Sequence, residues 1–217
     1  MRYTDRRHAG RELARLIAAA PPARPVVLAL PRGGVPVGAE VAAVLGAPLD
    51  LVVVRKVGLP GQPEVGAGAV TEDGIVLLDA PLLRRVGLTA ADLAPVVASE
   101  RAELRRRVVA YRAGDPPEPL GGRTGVVTDD GLARGVTALA AVRSARARGA
   151  AAVVLAVPVA SREGIRRVAA ECDAVVCPDV LDRFGAVGRY YRDFAQVGDA
   201  EVRTLLAARH HGSDNDE

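Results

Sequence analysis

Short apolar runs recur along the chain, each followed by a longer amphipathic stretch, and this alternation restricts the fold more than any other feature. Val26–Leu30, Leu51–Val54, Gly125–Thr128, Ala152–Val157 and Ala174–Cys177 are rich in β-branched residues and lack the polar alternation of a half-exposed strand. A strand that is apolar on both sides has to be covered on both sides, which marks a parallel sheet lying between helices. The intervening segments read as those helices. Asp5–Ala20 has Asp5 as its cap and Ala9, Leu13, Leu16 and Ile17 on one face; Val35–Leu45, Ala90–Tyr111, Val136–Gly149 and Arg162–Ala170 follow. The expected architecture is α/β: a doubly wound, mostly parallel five-stranded sheet with right-handed crossovers, in a single domain over 1–217.

Punctuation between the runs supplies further detail. Ala67–Val70 and Ile75–Leu78 flank an Asp73-Gly74 turn and read as a hairpin, and Asp115-Pro116-Pro117 ends the long helix before it. Val57–Gly66 carries Gly58, Pro60, Gly61 and Pro63 and reads as a mobile loop. Every apolar stretch is interrupted by Arg, Asp, Gly or Pro, so no membrane span is expected. The opening MRYTDRRHAGRELARL has charges but no following apolar core, so a signal peptide is not expected and the reading is cytoplasmic. Cys172 and Cys177 lack partners at zinc spacing and read as small hydrophobes in a reducing compartment. The formal charge of +3 fits an anionic small molecule and does not single out nucleic acid. The tail 212–217 reads as disordered.

In open α/β sheets, ligands sit outside the carboxyl ends of the strands. The residues that follow the strands here are therefore informative. After Leu30 comes Pro31-Arg32-Gly33-Gly34, and after Val54 comes Arg55-Lys56 with the glycine-rich stretch. After Thr128 comes Asp129-Asp130-Gly131-Leu132-Ala133-Arg134-Gly135-Val136-Thr137. Two adjacent carboxylates repel one another and need a compensating partner, such as a diol that donates hydrogen bonds or a bound cation. The loop from Gly131 to Gly135 leads into a helix, whose free N–H groups and dipole favour an anion, and Thr137 adds a hydroxyl in the first turn. Diol acceptors beside a phosphate cradle describe a ribose 5-phosphate site.

The segment Val126–Thr137 resembles the phosphoribosyl-diphosphate-binding motif of type I phosphoribosyltransferases. The likeness extends to Leu30–Gly34 as a pyrophosphate loop, to Val54-Arg55-Lys56 with Val57–Gly66 as a basic hinge and flexible catalytic loop, and from Asp5–Gly10 to Ala186–Phe194 as a bacterial branch of predicted phosphoribosyltransferases. The resemblance implies transfer of ribose 5-phosphate from phosphoribosyl diphosphate to a nitrogenous base, with release of pyrophosphate. It implies that Asp129 and Asp130 hold the ribose diol and that Gly131, Leu132, Ala133, Arg134, Gly135, Val136 and Thr137 hold the 5-phosphate. Arg32, Gly33, Gly34, Arg55 and Lys56 would meet the pyrophosphate, and Lys56, Asp129 and Asp130 would be the catalytic groups. Mg²⁺ is the implied cofactor, carried by the substrate, with Asp129 and Asp130 the nearest protein carboxylates. A small hood from about 1–24 and 180–208 and a homo-oligomer are also implied.

Three details bear on this reading. The family loop usually has Thr where this chain has Arg134, so a hydroxyl donor is replaced by a guanidinium. The 6-oxopurine enzymes carry Asp at the place of Ala133, which argues against a hypoxanthine- or guanine-type acceptor. Four of the six aromatic residues, Phe184, Tyr190, Tyr191 and Phe194, gather near the C-terminus and read mainly as packing for the hood. The arginines around Arg101–Arg107 lie beside Glu100 and Glu103 and read as a solvated, salt-bridged face rather than an RNA surface. His8, His210 and His211 form no cluster. The rival expectation is a non-catalytic sensor of phosphoribosyl diphosphate or a nucleotide on the same fold, able to bind RNA.

Overall fold

The computed structural model describes residues 2–208; His210, His211 and the 212–217 tail lie outside them. In chain order the elements are α1 (Arg6–Ala18), β1 (Pro25–Ala29), α2 (Gly34–Leu45), β2 (Leu49–Leu51), β3 (Val54–Leu59), β4 (Gln62–Thr71) and β5 (Val76–Leu78). Then come α3 (Ala80–Arg85), α4 (Ala94–Arg112), β6 (Thr124–Thr128), α5 (Val136–Ala147), β7 (Ala152–Ala156), β8 (Val159–Ser161), α6 (Arg162–Ala169), β9 (Ala174–Val176), β10 (Asp179–Leu181) and α7 (Asp199–Ala207).

The central sheet has five strands in the order β2-β1-β6-β7-β9, all parallel. Its strands are buried on both faces. Val27, Ala29 and Val126 pack with α1 and α2, while Val26, Leu28, Val127 and Leu155 pack with Ala138, Ala141 and Val142 of α5. The fold is therefore the doubly wound α/β sheet that the apolar runs predict. Asp5 caps α1 by accepting from the His8 N–H at 2.7 Å. Ala9, Leu13 and Ile17 are buried as expected, but Leu16 is 49% exposed because it falls beside the apolar stripe rather than within it.

Two local expectations are corrected. The run Leu51–Val54 is not one strand. β2 ends at Leu51, and the chain crosses to a separate antiparallel sheet of β3, β4 and β5. The crossing at Val52 and Val53 is fixed by Val52 N–H to the Ala29 carbonyl (3.1 Å) and Val53 N–H to Glu72 Oε1 (3.1 Å). The second correction concerns Val57–Gly66, which forms a β-hairpin and not a loop. Pro60-Gly61 makes its tight turn, with Gly61 at φ +73°, a position that favours glycine beside a proline that pre-sets the turn. Gly58 allows the strands to approach: a Cβ there would lie 2.4 Å from the Pro63 carbonyl oxygen, at the site of a register shift.

The N-terminal residues meet the segment that precedes α7. Tyr3 N–H donates to the Tyr190 carbonyl at 2.9 Å, Arg192 N–H to the Tyr3 carbonyl at 2.9 Å, and Asp193 N–H to the Thr4 carbonyl at 2.8 Å. Tyr3 packs on Tyr191, and Tyr191 on Phe194, with centroid separations of 5.5 and 5.1 Å. This cluster sits above the carboxyl end of β6. Among the described residues no helix is long and apolar enough to cross a membrane. Cys172 and Cys177 are free, and burial pushes both thiols up to about 11, so neither is a reactive thiolate.

Candidate functional site

β1 and β6 are neighbours, with Ala29 opposite Thr128, so their carboxyl ends release two loops side by side. Leu30 N–H donates to the Thr128 carbonyl at 2.9 Å, Gly34 N–H returns to the Leu30 carbonyl at 3.0 Å, and the Pro31–Arg32 peptide is cis. The turn runs directly against the acidic pair. A Cβ on Gly33 would lie 2.1 Å from Asp130 Oδ2, and one on Gly34 would lie 2.7 Å from the Thr128 carbonyl oxygen. Gly33 has an ordinary helical φ of −63°, so its requirement is for space and not for backbone freedom.

Asp129 and Asp130 are partly buried between this turn, α1 and the aromatic cluster. Asp130 N–H donates to Asp129 Oδ1 at 2.8 Å, and the Tyr191 hydroxyl donates to the Asp130 carbonyl at 2.5 Å. Burial pushes the Asp129 carboxyl well above the usual carboxylate range, and the neighbouring charge of Asp130 adds to the rise. Burial raises Asp130 as well, against the opposing pull of Arg6, whose Nε lies 2.8 Å from Asp130 Oδ2. The pair therefore holds a proton far more readily than isolated aspartates do. A ligand that donates hydrogen bonds to both would relieve that cost.

The loop after the pair is fastened from behind. Leu132 N–H donates to the Val159 carbonyl at 2.9 Å, and Ser161 N–H to the Leu132 carbonyl at 2.8 Å. Ser161 also caps α6, accepting from the Gly164 N–H at 2.8 Å while its hydroxyl donates to the Ala133 carbonyl. Gly135 adopts φ +75° with a would-be Cβ 2.9 Å from the Gly164 carbonyl oxygen, so glycine is required twice over. α5 begins at Val136 with no side-chain cap and no acidic residue in its first turn, leaving its positive end for an external anion. A cavity of about 270 Å³ opens here, lined by residues 131–137 together with Lys56, Glu64, Gly66, Gly68 and Val187.

The structure thus brings Lys56 to the cavity lined by residues 131–137 and sets Gly33 and Gly34 against the acidic pair. Two of the three predicted arginines pair with other residues. Arg55 pairs with Glu100 of α4 at 2.6 Å, and Arg32 reaches Asp199 at the start of α7 at 3.5 Å. Lys56 is exposed, and its Nζ donates to the Glu64 carbonyl at 2.5 Å. Lys56 and Arg55 also line a second cavity of about 530 Å³ between the β3–β4 hairpin and α4. Arg134 is exposed in the first cavity and makes no hydrogen bond or ion pair among the described residues. Burial pushes the Asp79 carboxyl up, but the Leu82 N–H, Arg167 and, at longer range, Arg134 together hold it below its ordinary value. Thr137 is half-buried at the cavity wall.

Sequence reasoning passed over Arg6. It lies 124 positions from Asp130, in a helix whose pattern shows only amphipathicity, and the one signal was its place in the Asp5–Gly10 segment that carries the family likeness.

Comparison with known proteins follows this geometry. The chain is 47% identical over 208 residues to two Mycobacterium tuberculosis proteins that bear the name "putative phosphoribosyl transferase". The match takes in 96% of this chain and 47% of each relative, so the chain spans about half the length of these curated relatives. The crystal structure of TT1426 from Thermus thermophilus superposes with a TM-score of 0.81 at 45% identity, over 96% of this chain and 99% of that one. AQ2163 from Aquifex aeolicus shares the fold at a TM-score of 0.52 and 13% identity, over 93% and 85% of the two chains. The phosphoribosyl transferase domain matches residues 3–195, and the chain belongs to that family.

Proposed function

We propose that this chain transfers ribose 5-phosphate from phosphoribosyl diphosphate to a nitrogen nucleophile and releases pyrophosphate. The observation that carries the reading is an acidic pair short of compensating charge, placed beside an open, uncapped helix N-terminus. In this reading Asp129 and Asp130 accept the ribose hydroxyls, and the amides from Ala133 to Val136 with Thr137 and Arg134 surround the 5-phosphate, the Leu132 N–H being held by Val159. Gly33 and Gly34 let the 31–34 turn lie against the acidic pair, where it would meet the pyrophosphate, and Lys56 lines the cavity at 131–137. The C1–oxygen bond to pyrophosphate breaks as the nitrogen–C1 bond forms, and the acceptor's N–H proton leaves to the departing pyrophosphate or to water; the oxocarbenium-like state between carries a positive charge that the carboxylates favour. The meeting of 1–24 with 180–208 would act as the hood over the acceptor.

Among the described residues no three His, Cys, Asp or Glu are arranged to hold a metal. Two carboxylates without a third protein ligand suit a Mg²⁺ ion carried in by the substrate; Asp129 and Asp130 would be the residues to hold it, and the ion would supply charge to neutralise the departing pyrophosphate. Pyrophosphate release from phosphoribosyl diphosphate, measured with a panel of purine, pyrimidine and pyridine bases, tests the proposal. No release with any base, alongside measurable binding, would favour the sensor reading, for which Arg134 in the cavity is the supporting observation. RNA binding by α4 has less support, since Glu103 accepts from Arg106 and Arg107 at 2.8 Å each and Arg55 holds Glu100.

A further inference from the structure

We infer that Arg6 is a positioning residue for the ribose subsite: it locks the carboxylate of Asp130 in the orientation that accepts a sugar hydroxyl. The inference rests on the assignment of the acidic pair to the ribose diol. Arg6 is held on three sides. Its Nε meets Asp130 Oδ2 at 2.8 Å, with 12% and 13% of the two side chains exposed. Its Nη1 donates to the Ala195 carbonyl at 2.7 Å, and its guanidinium lies 3.8 Å above the Phe194 ring. A planar cation fixed by a ring and a carbonyl presents its Nε–H in one direction only.

Asp130 is held from the opposite sides too. Gly33 approaches so closely that any side chain there would displace the carboxylate, and Tyr191 pins the Asp130 carbonyl. Arg6 engages a single oxygen, Oδ2, so the contact orients the group without occupying all of its acceptor capacity. In this reading the acceptor capacity left on the two carboxyl groups, beyond the Asp130 N–H contact to Asp129 Oδ1, is offered to the sugar in a fixed geometry. Because Arg6 itself rests on Phe194 and Ala195, the packing of the C-terminal segment is transmitted to the ribose acceptors.

A purely structural clamp between the N-terminal residues and the segment that precedes α7 would give the same contacts but a different response to substitution. The test is calorimetric binding of inorganic phosphate, ribose 5-phosphate and its 2-deoxy and 3-deoxy analogues to the full chain, for wild type, Arg6→Gln, Arg6→Lys and Arg7→Gln. In wild type the hydroxyls should favour ribose 5-phosphate over at least one deoxy analogue by about tenfold, the equivalent of one charge-assisted hydrogen bond. Arg6→Gln should reduce that preference to less than about twofold while inorganic phosphate binds as before, since one factor of two is only a fraction of a hydrogen bond. Arg6→Lys should restore part of it. Arg7→Gln should match wild type, because Arg7 turns to Glu40 at 3.3 Å and makes no ion pair with the acidic pair.

If Arg6→Gln keeps the full preference, or loses phosphate and sugar binding to the same degree, Arg6 does not position Asp130 and the inference falls. If wild type itself shows no preference for either hydroxyl, the diol assignment falls and takes this inference with it.

Discussion

Two buried carboxylate sites in this molecule are built to opposite specifications. Asp50 in β2 is fully enclosed, and both of its oxygens are matched. Arg112 reaches Oδ1 at 2.5 Å, while Arg148 and the Glu118 N–H reach Oδ2 at 3.0 Å each. Arg112 is itself completed by Glu72 and by the Leu51 carbonyl. Asp129 and Asp130, just past the carboxyl end of β6 and two strands away in the sheet, have two carboxyl groups and one cation between them. Burial raises both, and Asp129 most. Both oxygens of the Asp50 carboxylate are matched, although Arg148 Nη1 beside it is buried without a partner among the described residues; in the proposed reading the pair left short of charge awaits a ligand that supplies it. The charge deficit at the carboxyl edge is what separates a site from a scaffold here.

The largest consequence is expected at the scaffold. Asp50→Asn leaves Arg112 and Arg148 facing a neutral amide in an enclosed setting, and should cost about 3–5 kcal/mol of stability. Urea unfolding measures it, and a loss below about 1 kcal/mol, the ordinary effect of a surface change, would break the contrast. Next comes Gly33→Ala. Its methyl would collide with Asp130 Oδ2, so phosphoribosyl-diphosphate affinity should drop by about tenfold or more, roughly one hydrogen bond to a charged group. Equal affinity by calorimetry would show that the turn and the acidic pair are not mutually constrained.

A smaller effect of opposite sign is expected at Asp129. A raised folded-state carboxyl means that the native protein binds a proton more tightly than the unfolded chain. The stability of wild type then falls as pH rises from the ordinary carboxylate value through the raised one. Asp129→Asn should therefore stabilise the fold at neutral pH, by about 0.5–1 kcal/mol, while it weakens ligand binding. The gain should vanish as pH drops below the ordinary carboxylate range. Thermal unfolding across pH checks this, and a destabilised Asn variant at neutral pH would place Asp129 with Asp50 rather than opposite it. The smallest effect belongs to the hairpin over the cavity: without ligand, the amides of Arg55 and Val57 in the β3–β4 ladder should exchange more slowly than those at the Gly58–Gly61 tip. Uniformly fast exchange would restore the loop reading.

The contrast between the two carboxylate sites also explains what was legible in the sequence. Asp129-Asp130 followed by two glycines is a local pattern, and the five apolar runs declare the sheet without reference to distant residues. The partners of Asp50 are 62 and 98 positions away, and Arg6 is 124 positions from Asp130, so no local pattern announces them. The hairpin was obscured for a different reason. Gly58 and Gly66 look like loop residues, yet they serve close contacts: a Cβ on Gly58 would lie 2.4 Å from the Pro63 carbonyl oxygen, and one on Gly66 would lie 2.7 Å from Lys56 Cε. Composition alone does not distinguish a glycine that frees the backbone from one that admits a neighbour.

The most direct test of the central claim is a calorimetric titration of wild type and Asp130→Asn with phosphoribosyl diphosphate and Mg²⁺ at neutral pH. The substitution keeps the size of the side chain and removes the charge that strengthens a hydroxyl hydrogen bond. The account predicts saturable binding by wild type and a loss of about 1.5–3 kcal/mol in the variant, with its unfolding transition retained. Unchanged affinity in a folded Asp130→Asn protein would contradict it.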